Sequence, residues 1–207
     1  MKSLLLGAAA ALALSTSAHA AILLSLDSVT PVGSEFRYDY SGSITPELGV
    51  ATGDQLVIVD FAGYVDGSVS TTLPNVTASI SNTLPAGLIL SSGVTDDAAI
   101  PDLVFTYTGA DLRTSGGPFP PDLTFTTLSA LSTIGTSVNG SFSTRAVQNN
   151  GANQGDAIAI AGNVQVPDAS LASAVPEPST WAMLLTGFLG LGLLLRRRKS
   201  SPALTLA

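Results

Sequence analysis

Between positions 21 and 174 the side chains able to do chemistry are mostly carboxylates, and Asp96, Asp97 and Asp102 form their densest cluster. Paired carboxylates can hydrolyse glycosides, one as acid and the other as base or nucleophile. The same groups, with a backbone carbonyl or two, can instead supply hard oxygen ligands to calcium. Glycoside hydrolysis calls for a deep cleft lined with aromatic rings, and no tryptophan precedes Trp181. Calcium needs no such cleft, although the cluster has neither EF-hand spacing nor a Gly-rich Asp nonapeptide. Adjacent aspartates in a loop also serve simply as turn formers and surface charges. Asp96, Asp97 and Asp102 are therefore the candidate metal ligands, with a solvated acidic loop as the alternative. Calcium is the one cofactor this pattern suggests.

Missing residue types restrict the chemistry further. The single histidine, His19, lies near the N-terminus, the chain has no cysteine, and no lysine falls between 21 and 174. A Ser-His-Asp triad, a thiolate nucleophile, a Schiff base and a conventional zinc site are thereby excluded from that stretch. No Gly-rich phosphate loop or dinucleotide fingerprint is present. The expectation is a protein that is not an enzyme. Fourteen carboxylates against Arg37, Arg113 and Arg145 give residues 21–174 a formal charge of −11. Such a surface repels phosphate backbones, so nucleic acid is not an expected partner. Tyr38, Tyr40, Tyr64 and Tyr107 are candidates for an aromatic sugar-binding platform, but their strand alternation assigns at least half of them to a core.

The elements that must position these groups read as strands. Glu35 to Ile44 alternates, with Phe36, Tyr38 and Tyr40 on one face and Arg37, Asp39 and Ser41 on the other. Gln55 to Phe61 is a nearly continuous apolar run, suited to a strand buried on both faces. Further strands are expected at Ala21 to Val29, Val76 to Ile80, Leu88 to Ser91, Leu103 to Thr108, Leu123 to Leu128, Gly140 to Val147 and Ala157 to Val166. Asn139-Gly140 reads as a tight hairpin turn. Gly116 to Pro121 and Asn149 to Gly155 read as loops. No segment here sustains a 3.6-residue apolar period. The pattern predicts an all-β domain over 21–166, an antiparallel β-sandwich of jelly-roll type. Its length suffices for a core that buries roughly 68–70% of the unfolded surface.

Both ends carry processing signals. Lys2, the apolar segment Leu4 to Leu14 and Ala18-His19-Ala20 form a charged, an apolar and a small-residue region in order. This is the pattern of a secretory signal peptide over 1–20, with Ala18 and Ala20 at the peptidase site. Residues 167–175 form a small, flexible stalk. Then come Val175, Pro176, Glu177, Pro178 and Ser179, an uncharged run from Trp181 to Leu195, and the cations Arg196, Arg197, Arg198 and Lys199. As a helix the run spans roughly 22 Å, and Ser179, Thr180 and a snorkelling Arg196 lengthen it towards the ~30 Å hydrocarbon core. The prolines set the helix start near Ser179, and the basic block marks the cytoplasmic side. The expectation is one transmembrane helix over about 179–195, a basic cluster at 196–199 and a cytoplasmic tail at 200–207.

Pro-Glu-Pro, a short apolar span and an arginine cluster, in that order, resemble the PEP-CTERM sorting signal of exported proteins in Gram-negative bacteria. The likeness covers about 25 of the 207 residues, 176–199 with its flank. It implies an exosortase-type processing enzyme as partner, cleavage near the Pro-Glu-Pro element, and anchoring in the inner membrane at least for a time. The cell surface or the extracellular space is then the destination. The stretch Gly53 to Phe61, with Thr95-Asp96-Asp97 and Leu103 to Gly109, also resembles a pattern in other exported proteins of this kind, one that brings no activity. Two functions fit these readings. One is a structural component of the cell surface or of an exopolysaccharide or biofilm matrix; the other is a secreted polysaccharide-binding module assisted by calcium.

Overall fold

The computed structural model describes residues 21–113, 122–149 and 152–170, together with 183, 186 and 188. The chain divides into two compact units, Met1–Pro167 and Asp168–Ala207. The described elements of the first unit are all strands, paired antiparallel throughout.

One sheet is built on a hairpin. Strand β1 (Ile22–Val32) pairs with β2 (Glu35–Ile44) through a two-residue turn opened by Gly33, whose φ of 65° suits a residue with no Cβ. β2 also pairs with β9 (Leu123–Ser132), and β9 with the short β5 (Ser70–Thr71). The second sheet runs β6 (Val76–Ser81), β7 (Asp102–Tyr107), β4 (Gln55–Ile58), β10 (Ser137–Gln148). β11 (Ala157–Pro167) pairs along the other edge of β10. Further along β10, its edge towards β4 takes β3 (Leu48–Val50), which pairs β8 (Leu112–Arg113).

Both sheets feed one hydrophobic core. Ile22, Leu24, Tyr38, Tyr40, Leu128 and Ala130 come from the first, and Ile58, Leu103, Phe105, Phe142, Val164 and Val166 from the second. The alternation in β2 thus directs Tyr38 and Tyr40 inward to full burial. Phe61 meets Tyr38 edge-on, with ring centroids 5.4 Å apart. The tyrosine hydroxyls tie distant segments together. Tyr40 donates to the carbonyl of Gln165 in β11 at 3.0 Å, and Tyr38 reaches the carbonyls of Ile134 and Thr136 at 3.0 and 2.9 Å.

β4 is buried on both faces, as its composition requires. Ile58 faces the main core, while Val57, with Val59 and Val104, forms a second cluster on the outer face. The twenty-residue connection from β6 to β7 (82–101) covers that cluster with Leu84, Leu88 and Leu90. Its backbone is fixed there: Ile89 N donates to Ser143 Oγ at 3.2 Å, and Ser91 Oγ to the Gly162 carbonyl at 3.4 Å.

The expected strand at Leu88 to Ser91 is therefore a loop. Its apolar side chains serve a sheet they lie on rather than a sheet they join. Nor do Asn139 and Gly140 turn the chain. They lie inside β10, opposite Gln165 and Val164. The glycine is there for space, since a Cβ at position 140 would sit 2.5 Å from Cγ2 of Val166. The strand expected over Gln55 to Phe61 ends at Ile58, and Asp60 follows at φ 56°.

Candidate functional site

The site grows from the break at the end of β4. An aspartate tolerates the left-handed conformation better than most non-glycine residues, and at Asp60 it turns the chain out of the sheet. This places the Asp60 carboxylate beside two others: Asp102, the first residue of β7, and Asp96, in the loop above. One oxygen from each of the three lies within 4.8 Å of the others.

Each carboxylate is held by backbone. Asp102 Oδ1 accepts from Asp60 N at 2.9 Å, Asp60 Oδ1 from Asp97 N at 3.0 Å, and Asp96 Oδ2 from Leu84 N at 2.7 Å. Asn82 Nδ2 donates across the loop to the Ala98 carbonyl at 3.2 Å. The triad thus gathers both ends of the 82–101 loop and the end of β4. Asp102 is fully buried, and its Oδ2 has no hydrogen-bond partner; Asp96 Oδ1 is likewise buried and unpartnered.

The electrostatics follow from burial. Desolvation pushes the Asp102 carboxyl up to about 6, opposed by the Asp60 N–H and reinforced by the charges of Asp96 and Asp60. Asp60 is raised as well, first by desolvation, against the Asp97 N–H, then by Asp96 and Asp97. The ion pairs Arg37–Asp39 and Arg145–Asp54 do not involve these carboxylates. Three close carboxylates, two of them with a buried free oxygen and none ion-paired among the described residues, make a donor set for a hard divalent cation.

Of the residues the sequence singles out, Asp96 and Asp102 are brought together. Asp97 is not: its side chain is exposed and Oδ1 accepts from Ala99 N at 3.0 Å, so it contributes its N–H and shapes the turn. Asp60 takes the third place. The signal for it was a carboxylate interrupting an apolar run, which a strand buried on both faces cannot carry without a special reason.

The tyrosines make no sugar platform. Tyr38, Tyr40 and Tyr107 are buried and Tyr64 is half-buried, its hydroxyl accepting from Val69 N at 3.4 Å. An apolar cavity of about 230 Å³ also lies among the strands, lined by Ile44, Leu56, Phe105 and Leu128 with Asp54 and Arg145. Asp54 Oδ2 accepts from Ala51 N at 2.7 Å, and Oδ1 lies 3.4 Å from Arg145 Nε. Burial still holds the Asp54 carboxyl above its ordinary range.

The signal-peptide residues Ala18 and Ala20, and the sorting residues Val175, Pro176, Glu177, Pro178, Ser179, Arg196, Arg197 and Arg198, lie outside the described residues. Of the expected span, Met183, Thr186 and Phe188 are described and helical, with Met183 and Phe188 exposed. Among the described residues no helix is long and apolar enough to cross a membrane.

In comparison with known families, residues 174–199 match the PEP-CTERM protein-sorting motif. The motif implies processing by an exosortase-type enzyme, export, and membrane-associated sorting. No curated protein matches the chain.

Proposed function

We propose that the chain is a non-catalytic component of the bacterial surface or of its extracellular polymer matrix. A β-sandwich of jelly-roll type is exported behind a cleaved signal peptide. A helix over about 179–195 holds it in the inner membrane until exosortase acts. The observation that carries this reading is the sorting motif at 174–199. Composition supports the rest: residues 21–174 have no histidine, cysteine or lysine from which common hydrolases and transferases are built. The acidic surface suits a soluble life outside the cell.

Polysaccharide binding through aromatic stacking draws no support from the tyrosines, which serve the core. The test is fractionation of producing cells, with and without the exosortase gene. The proposal predicts the domain in the extracellular or polymer fraction of the first strain and in the inner membrane of the second. Equal distribution in the two strains would overturn it. A glycan pull-down with and without chelator separates a matrix component from a polysaccharide binder: retention on an exopolysaccharide only in calcium would favour the second.

A further inference from the structure

We propose that Asp60, Asp96 and Asp102 bind one calcium ion, which clamps the 82–101 loop onto the outer face of the second sheet. This inference stands independently of the sorting motif.

Two observations carry it. The first is the convergence of the three carboxylates, one oxygen from each within 4.8 Å of the others. The second is the state of the oxygens: Asp102 Oδ2 belongs to a side chain with no exposure and has no partner, and Asp96 Oδ1 is buried and unpartnered too. A buried ionised oxygen without a donor is strongly unfavourable, and three like charges at this range compound the cost. Backbone N–H groups satisfy one oxygen of each carboxylate and leave the others. A divalent cation would engage the orphaned oxygens and reduce the local charge from −3 to −1. Calcium fits better than magnesium, because its coordination is flexible and draws on several carboxylates, whereas magnesium retains most of its waters.

The site also explains the loop. Twenty residues without a strand of their own are a long connection in a compact domain. They are held over Val57, Val59 and Val104 by three leucines and a few hydrogen bonds. Asp96 comes from the loop, while Asp60 and Asp102 come from the sheet side, so a shared ion would join the two. Three carboxylates and a site shared between loop and sheet suit a modest calcium affinity, about 10⁻⁴–10⁻³ M.

The test uses the full chain in detergent, stripped with chelator and titrated with calcium chloride by calorimetry and thermal denaturation. One site per chain is expected, with a midpoint rise of about 3–10 °C at 10 mM calcium and a smaller rise at equal magnesium. Hydrogen exchange over 82–101 should slow when calcium is added. Asp60→Asn, which keeps a residue tolerant of positive φ, and Asp96→Asn should each abolish the calcium-dependent rise. Asp97→Asn should retain it. No calcium-dependent rise or slowing of exchange in the unaltered chain would overturn the site, as would its survival in Asp60→Asn. An equal response to magnesium would overturn the assignment to calcium. The hydrogen-exchange comparison needs no variant and decides the matter even if the substitutions impair folding.

Discussion

Replacing Tyr40 by phenylalanine removes a single oxygen from the centre of the molecule, and its effect should reverse with pH in a way few other substitutions would. The Tyr40 side chain is fully buried, and its hydroxyl donates from β2 in one sheet to the Gln165 carbonyl on β11 in the other. The ring stays in Tyr40→Phe, so the loss is that of a buried hydrogen bond between sheets, about 1–2 kcal/mol at pH 7. For a domain of this size that is roughly 2–8 °C in Tm. Tyr40→Ala should cost more, about 3–5 kcal/mol, because a cavity is left. Burial, and secondarily the neighbouring Tyr38, raises the Tyr40 hydroxyl well above its ordinary value of about 10. The unfolded chain therefore gives up this proton near pH 10 while the folded chain keeps it. The stabilisation is complete below pH 10 and declines above it by about 1.4 kcal/mol per pH unit. Phenylalanine has no proton to lose, so the stability gap between the two proteins should close near pH 11. Urea denaturation of both proteins at pH 7, 9, 10 and 11 reads this directly. A gap absent at pH 7, or one unchanged at pH 11, would refute the reasoning.

Other substitutions probe the remaining supports. Gly140→Ala should cost about 1–3 kcal/mol, although alanine ordinarily favours a strand over glycine, because its Cβ meets Val166. Denaturation of the double variant with Val166→Ala should show the two changes coupled rather than additive. Ser132→Ala removes a buried hydroxyl that donates to the Ala62 carbonyl at 2.7 Å and accepts from Ile134 N at 3.0 Å; denaturant midpoints should show a loss of about 1–3 kcal/mol. In chelator, the raised carboxyl of Asp102 favours the folded state while protonated. Its contribution is complete below about pH 4 and lost as pH rises through about 6, on the order of 2–3 kcal/mol in all. Asp102→Asn should remove that part of the stability–pH profile between pH 4 and 7.

What could be read from the sequence depended on whether the signal was local. The alternation of Phe36, Tyr38 and Tyr40 is a property of one strand, and the structure shows the tyrosines buried as it implies. The nearly continuous apolar run at Gln55 to Phe61 likewise announced two buried faces. Asn139-Gly140 misled because the pair has a strong turn preference, whereas the glycine here answers to Val166 on the next strand. Leu88 and Leu90 misled in the same way, since an apolar stretch records burial and not the partner that provides it. Strands β3, β5 and β8 are two or three residues long and too short to show a period. The carboxylate triad is the sharpest case: neighbours in sequence suggested Asp97, but the chain reversal at Asp60 decides which oxygens meet. The sorting motif, by contrast, is a contiguous run of residues, 174–199, so it is legible without any fold.

The central claim, that the C-terminal segment is an address processed during export, is tested most directly by intact mass. The protein should be isolated in parallel from the culture medium and from the membrane fraction. The account predicts an extracellular species that begins after Ala20 and ends near Pro176 to Ser179. A membrane species still carrying Trp181 to Ala207, with no truncated form outside the cell, would contradict it and make the segment a lasting anchor.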